Sequence, residues 1–219
     1  MVHFLNYFMM KKWYTQQNQG MTFIELIVII SLFGIIASVV LFNSRDFSSN
    51  ISLQNLSQDI ALTIKRAQTT SASGGYNGLF VLPRKPSYGV YVNPSEQSFY
   101  YFADLDNSGQ LDSLDPTNRA CGTPSAGDEC IEKYTISGTD DIKEVCANSK
   151  LMQGDVDCSL DEPLEVVFKR PNLDALIHYK GSLSASMQDI VDGKIVIQSA
   201  DGTRQKNIII WVTGQISVE

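Results

Sequence analysis

The sequence has few of the residues on which enzyme chemistry depends. It contains two histidines among 219 residues, His3 and His178, and they lie far apart along the chain. A Ser-His-Asp or Cys-His arrangement would need His178, whose neighbours Ala175–Lys180 have the composition of an ordinary strand. No phosphate-binding loop, dinucleotide glycine pattern or H-E-x-x-H motif occurs. We therefore expect that the protein is not an enzyme.

Basic residues are also scarce. Lys and Arg total 17 against 24 Asp and Glu, which gives a net charge of −7. Phosphate binding needs clustered Lys and Arg, so this balance argues against nucleic acid as a partner of the whole surface. A hydrophobic content of 43% can support a core and excludes disorder of the whole chain. A single long apolar run excludes a multi-pass membrane protein.

That apolar run has the length of a membrane span. Leu26–Phe42 contains 17 residues without a charge, and extension back to Met21 adds one charge, Glu25. A spanning helix needs about 20 apolar residues, and a buried core helix is the alternative. Lys11 and Lys12 precede the run, so the positive-inside rule predicts that the chain from residue 43 onward lies outside the cytoplasmic membrane.

Glu25 is costly inside such a span unless it has a partner. Cleavage after Gly20 would create an amine on Met21, about one helical turn from Glu25. The segment Gly20–Leu26, GMTFIEL, followed by the apolar run, resembles the processing site of type IV prepilins and type II secretion pseudopilins. The resemblance implies removal of a leader, residues 1–20, by an inner-membrane prepilin peptidase, and N-methylation of Met21. It also implies that Glu25 neutralises the amine of a neighbouring subunit during filament assembly.

Two positions depart from that family. Met21 stands where Phe is usual, and Phe42 stands near the place where many members carry a helix-breaking Pro. Residues 10–20 have by themselves the form of a short basic leader, which is compatible with a translation start at Met9 or Met10.

The helical pattern continues beyond the apolar run. Apolar residues recur at spacings of three and four, and Gly74-Gly75 ends the pattern. They are Leu53, Leu56, Ile60, Ile64 and Ala67. We predict one helix over residues 21–73, membrane-spanning in 21–42, with a short coiled coil as the alternative for its second half.

After residue 75 the pattern changes to short segments rich in Val, Ile, Tyr and Phe, separated by turn residues. No helix-length pattern separates most of them, which favours an antiparallel sheet and an α+β fold. A turn around Asp201-Gly202 predicts a hairpin of the two segments beside it. The predicted strands are Gly78–Leu82, Tyr88–Asn93, Ser98–Ala103, Glu132–Ile136, Leu164–Phe168, Ala175–Tyr179, Lys194–Gln198, Asn207–Val212 and Gln215–Val218.

Three segments resemble, in order, those of the GspH/FimT family of minor pseudopilins and pilins. They are Leu62–Gln68, Phe102–Gly109 and Ile195–Ile216, the last by its two ends, Ile195-Val196-Ile197 and Gly214-Gln215-Ile216. The resemblance implies a long N-terminal helix against two antiparallel sheets, with residues 74–219 as an extracytoplasmic β-rich domain.

One acidic segment matches the spacing of a calcium loop. Residues 104–115 follow the pattern D-x-D-x-S-G-x-x-D-x-x-D, in which oxygen ligands converge because the glycine permits a sharp turn. A solvated acidic turn without metal is the alternative. The predicted ligands are Asp104, Asp106, Ser108, the carbonyl of Gln110, Asp112 and Asp115.

The four cysteines lie in an acidic insert, residues 104–163. An even number outside the cytoplasm favours disulfides, and no C-x₂-C spacing supports the zinc alternative. Of the three connectivities, the sequential one closes the shortest loops and is preferred. It pairs Cys121 with Cys130 and Cys146 with Cys158. Residues 101–165 hold 15 acidic and four basic residues, which predicts a solvated face or a cation-dependent contact with another subunit.

Three functions fit these features. The first is a structural subunit, a minor pilin or pseudopilin, of a type IV pilus or type II secretion filament, with other such subunits, the prepilin peptidase and the membrane as partners. The second is a FimT-like DNA-uptake receptor, for which Arg204 and Lys206 are the nearest bases to the C-terminal end. The third is a membrane-anchored adhesin that does not polymerise.

Overall fold

A computed structural model describes residues 20–74, 86–112, 121, 129–138, 140–149, 157–171, 173–179, 182–183 and 190–219. The chain divides into two compact units, one ending at Arg45 and the other beginning at Asp46. The second unit contains all of the strands described below.

Helix α1 spans Phe23–Ser73, close to the predicted range of 21–73. Its first part is the apolar run. In its second part, the predicted stripe is buried at Leu53, Ile60, Ile64 and Ala67, and Leu56 packs against the same core. The helix ends at Ser73 and is followed by Gly74, whose φ of 75° is the left-handed conformation that terminates helices and that glycine adopts without strain.

The described residues form eleven strands in two sheets, and every strand pair among them is antiparallel. The six-stranded sheet has the order β3-β2-β1-β6-β7-β8, and the five-stranded sheet has the order β11-β10-β9-β4-β5. The predicted α+β class is therefore confirmed. The strands are β1 Ser87–Asn93, β2 Ser98–Asp104, β3 Cys130–Thr135, β4 Asp141–Ser149, β5 Asp157–Ser159, β6 Leu164–Phe168, β7 Ala175–Tyr179, β8 Ser182–Leu183, β9 Ile190–Gln198, β10 Gln205–Trp211 and β11 Ile216–Val218.

Eight of the predicted strands are confirmed, with end points shifted by a few residues, and the hairpin of β9 and β10 is formed. The remaining prediction, Gly78–Leu82, lies outside the described residues. Strands β4, β5 and β8 were not predicted. In β4, charged residues interrupt the apolar ones, and the strand forms because it pairs along its length with β9. The cysteine-containing insert therefore supplies strands to both sheets.

The helix and the two sheets share one hydrophobic core within the second unit. Ile64 on the helix belongs to the same buried cluster as Val90 of the first sheet and Ile195 of the second. Polar contacts also join the helix to the sheets. The amide of Gln68 donates to the carbonyl oxygen of Gly214 (2.8 Å), the backbone N–H of Tyr88 donates to Oγ of Ser71 (2.9 Å), and Arg66 forms an ion pair with Glu132 of β3 (2.8 Å).

Strand β2 is buried on both faces. Its residues alternate between two clusters: Phe99 and Tyr101 point into the core shared with the helix, and Tyr100 and Phe102 belong to a second cluster with Leu111. All seven residues of the strand are buried. The last of them is Asp104, which by alternation lies on the face of the second cluster. An acidic side chain is thereby drawn into the interior at the end of an apolar strand.

Two disulfides stabilise the insert. They join Cys121 to Cys130 and Cys146 to Cys158, the sequential pairing preferred above. Cys146 and Cys158 are direct partners across β4 and β5, so the second bridge ties the edge strand β5 to the sheet. The first bridge ends on Cys130, the first residue of β3.

We predict that Ile64→Ala destabilises the second unit strongly and that Leu62→Ala does not. Ile64 is fully buried, so its truncation should lower the free energy of unfolding by about 2–5 kcal/mol. Leu62 is 64% exposed on the same helix, and its truncation should change stability by about 0.5 kcal/mol or less. Urea unfolding in detergent micelles, followed by near-ultraviolet circular dichroism, measures both. Equal effects would contradict the buried stripe.

We predict that the double substitution Cys146→Ala and Cys158→Ala lowers the free energy of unfolding by about 2–4 kcal/mol, because the bridge restricts the unfolded chain over a separation of 12 residues. The same urea unfolding experiment measures the change. Addition of a reductant should lower the midpoint of the wild type further than that of the variant. An unchanged midpoint in the double variant would argue that pairing of β5 does not depend on the bridge.

Candidate functional site

The first turn of helix α1 brings together Thr22 and Glu25. The helix begins at Phe23, and the backbone N–H of Glu25 donates to Oγ1 of Thr22 at 3.4 Å. Thr at the N-cap with Glu three residues later is the capping-box pattern. A carboxylate in the first turn also interacts favourably with the helix dipole. Glu25 thus has a local role in starting the helix, besides the pairing role that the resemblance implies.

The described residues do not cover the apolar surface of the first part of this helix. One helix in the described residues, over Phe23–Leu41, is long and apolar enough to cross a membrane, and none of that window is buried. Its 19 residues correspond to about 28 Å of rise, close to the thickness of a hydrocarbon layer. Among the described residues this helix is therefore not the buried core helix that was the alternative. Gly20 and Met21 lie exposed immediately before it.

The second candidate site is the acidic loop that follows β2. Asp104 is fully buried, and its Oδ2 accepts the backbone N–H of Gly109 at 3.0 Å. Oδ1 of Asp106 accepts the N–H of Ser108 at 2.8 Å. Gly109 has a φ of 89°, which a residue with a side chain adopts only with strain. The loop therefore curls back on its own first residue, as the calcium-loop spacing predicts.

The remaining predicted ligands lie in or beside the same loop. Oγ of Ser108 donates to the carbonyl oxygen of Gln110 at 3.3 Å, and the side-chain amide of Gln110 lies 2.9 Å from Nδ1 of His178. Asp112 is exposed at the far end of the described loop, and Asp115 lies outside the described residues.

Glu129 is a member of this site that the sequence pattern missed. Its backbone carbonyl accepts the N–H of Ala103 (2.9 Å), which continues the ladder between β2 and β3. Its carboxylate accepts the N–H of Leu105 (2.8 Å) and of Asp112 (3.1 Å), so it forms hydrogen bonds with both ends of the loop. One feature of the sequence indicates that Glu129 is held in place: it immediately precedes Cys130, which forms a disulfide.

Three carboxylates converge here. Each of Asp104, Asp106 and Glu129 offers an oxygen, and these three oxygens all lie within 4.8 Å of one another. Burial raises the pKa of Asp104 to about 7 and also raises the pKa of Glu129. On β6, burial raises the pKa of Glu165 to about 7 as well, and the charges of Asp112 and Glu129 add to the effect.

Positive charge near the loop is limited. Nζ of Lys169 donates to the carbonyl oxygen of Asn107 at 3.1 Å, and its charge opposes the rise in the pKa of Asp104. Burial lowers the pKa of His178 to about 4, so this ring is neutral at pH 7. Of the positively charged side chains that the structure describes, Lys169 is therefore the one in contact with this loop.

A further group of metal-ligand type consists of Glu144, Cys146 and Cys158. Both sulfurs are joined in a disulfide, so neither can act as a thiolate ligand. All four cysteines are bridged, and the zinc alternative is therefore wrong.

Comparison of the chain with family models, with curated proteins and with solved structures found no match in any of the three.

Proposed function

We propose that this chain is a structural subunit, a minor pilin or pseudopilin, of a type IV pilus or type II secretion filament. One observation carries the proposal: an apolar helix that the described residues leave uncovered bears a single carboxylate, Glu25, in its first turn. This carboxylate lies four residues after Met21, the residue that follows Gly20. In this proposal a prepilin peptidase removes residues 1–20. The helix then holds the subunit in the cytoplasmic membrane before assembly.

The exposed apolar surface supports assembly through the helix. Apart from Glu25 and two serines, the side chains of the window Phe23–Leu41 are apolar on all sides of the helix, whereas a helix that only packs on its own domain has one apolar stripe. A helix that is apolar all round must be covered by lipid or by other helices. A filament subunit uses both environments in turn, lipid before assembly and the helices of its neighbours afterwards.

In this proposal the charge on Glu25 determines the axial offset between neighbouring helices in the filament. A lone carboxylate among apolar helices is strongly unfavourable, and a neighbouring amine at the same depth removes most of that cost. The amine of a processed Met21 supplies this partner from another subunit. Only one axial offset between neighbouring helices brings the two charges together, so pairing selects that offset.

The β-rich unit suits an outer position in the filament. Its core is filled by its own helix segment and two sheets, and its chain is tied by two disulfides, as is common in extracytoplasmic proteins.

The two other functions have less support. A DNA-uptake receptor would need a cluster of bases, and Arg204 and Lys206 lie on a unit rich in carboxylates. A non-polymerising adhesin would keep the apolar helix and would use the charge of Glu25 only at the start of that helix, not for pairing with another subunit. The experiments below separate these functions from assembly.

We predict that Gly20→Val blocks removal of the leader. Mass spectrometry of the wild type from cells that contain a prepilin peptidase should find a chain that begins at Met21 and carries one added methyl group. Gly34→Val is the matched control, because a side chain at Gly34 meets no atom within 4 Å and the residue lies far from the cleavage site. A wild-type chain that retains residues 1–20 in such cells would contradict the proposal.

We predict that Glu25→Gln reduces incorporation into filaments by at least about tenfold, because it removes the charge that pairs with the amine. Glutamine keeps the size of the side chain, and the variant should still insert in the membrane. Immunoblots of sheared filaments and of membrane fractions measure the two quantities separately.

Thr22→Ala is the control for helix capping. It removes the hydroxyl that accepts the N–H of Glu25 but leaves the charge intact, so incorporation should stay near the wild-type level. Equal loss in both variants would assign Glu25 a capping role only. Normal incorporation of Glu25→Gln would refute charge pairing, and surface activity without any incorporation of the wild type would favour the adhesin.

A further inference from the structure

We propose that Asp104, Asp106 and Glu129 form a calcium site, in which Glu129 supplies the carboxylate that the loop spacing assigned to Asp115. The site goes beyond the proposed function and does not depend on it.

The first support is the convergence of charge from two separate parts of the chain. Asp104 is the last residue of β2, Asp106 lies in the loop that follows, and Glu129 directly precedes β3. Their oxygens lie within 4.8 Å of one another, close enough to share one ion. Like charges at this distance repel, and the fold keeps them together because Glu129 is fixed in the strand ladder by Ala103. A divalent cation between them converts the repulsion into attraction.

The second support is independent of the charge count. Asp104 is fully buried, yet its Oδ1 has no hydrogen-bond partner among the described residues. Its other oxygen is satisfied by the N–H of Gly109. Buried polar atoms in folded proteins nearly always have a partner. This oxygen is satisfied either by a cation or by a proton that Asp104 shares with the neighbouring carboxylate of Asp106.

Lys169 does not fill this role. Its ammonium group donates to the carbonyl oxygen of Asn107, and no hydrogen bond or ion pair joins it to Asp104, Asp106 or Glu129 among the described contacts. A single positive charge would also leave a group of three carboxylates net negative.

The chemical type of the ligand atoms and the length of the Glu129 side chain favour calcium. Three carboxylates make an all-oxygen set, which suits a hard cation such as calcium. The loop that supplies two of them also contains the hydroxyl of Ser108 and the carbonyl of Gln110, which are in contact with each other. In a calcium loop of this spacing the last ligand is usually a Glu, because its longer side chain can bind through both oxygens. Asp115 is one carbon shorter, whereas Glu129 has that length and lies at the site.

The same contacts allow a site without metal. Both oxygens of Glu129 already accept backbone N–H groups, from Leu105 and Asp112, and these bonds could organise the loop alone. Each oxygen of Glu129 keeps a lone pair that can bind an ion. The metal-free and the calcium-bound loops therefore share one fold, and a measurement of calcium binding distinguishes them.

Isothermal titration of the full chain in detergent micelles, after treatment with a chelator, tests the proposal with CaCl₂ and separately with MgCl₂. We expect saturable binding of one calcium ion, with a dissociation constant of about 10⁻⁴ to 10⁻³ M or tighter. Calcium at 10 mM should raise the thermal midpoint by about 3–10 °C. No binding and no shift would overturn the site. Equal affinity for magnesium would overturn the assignment to calcium.

Matched variants locate the ion. Asp106→Asn and Glu129→Gln should each weaken calcium binding at least about tenfold. Asp161→Asn and Glu162→Gln make the same chemical changes at exposed positions outside the cluster and should bind as the wild type does. Asp106 is exposed, so its variant should fold normally even if Glu129→Gln does not. Loss of binding in Asp106→Asn with wild-type affinity in a folded Glu129→Gln would overturn the role of Glu129.

Discussion

The burial of strand β2 on both faces is the constraint on which the second unit depends. A strand that alternates apolar residues toward two clusters needs a cover on each side. Helix α1 and the second sheet cover one side, and the loop after β2, with Leu111, contributes to the other. This arrangement forces the loop back across the strand from which it leaves. It also carries Asp104 into the interior, because the strand remains buried up to its last residue.

Glu25 and Asp104 present the same physical problem in two settings. Each is a carboxylate next to apolar residues, and for each the described residues supply backbone or hydroxyl contacts but no ion pair. In both proposals the missing charge comes from outside the chain: an amine of a neighbouring subunit for Glu25, and a divalent ion for Asp104. The assembled or folded state that contains such a carboxylate is favourable only when its partner of opposite charge is bound.

The insert shows how a polar segment becomes part of a core. Strand β4 contains Lys143 and Glu144 among its apolar residues, and it is ordered because β9 provides backbone partners from Asp141 to Ser149, with irregularities at Lys143 and after Asn148. The disulfide at Cys146 then extends the sheet to β5. The other disulfide ends beside Glu129 and restrains the segment that closes the acidic loop. The acidic loop after β2 and the two disulfides are thus linked through β3, β4 and β5.

The sequence by itself determined the features that depend on neighbouring residues. The apolar run, the helix stripe up to Gly74, the loop geometry around Gly109 and most strands follow from local spacing, because helices, turns and alternating strands are local patterns. The tertiary structure alone decided the rest. Strand β4 owes its order to β9, and Glu129 reaches Asp104 only because β3 pairs with β2. The cause is the same in both cases: pairing between distant strands leaves no periodic signal in the segment that it stabilises.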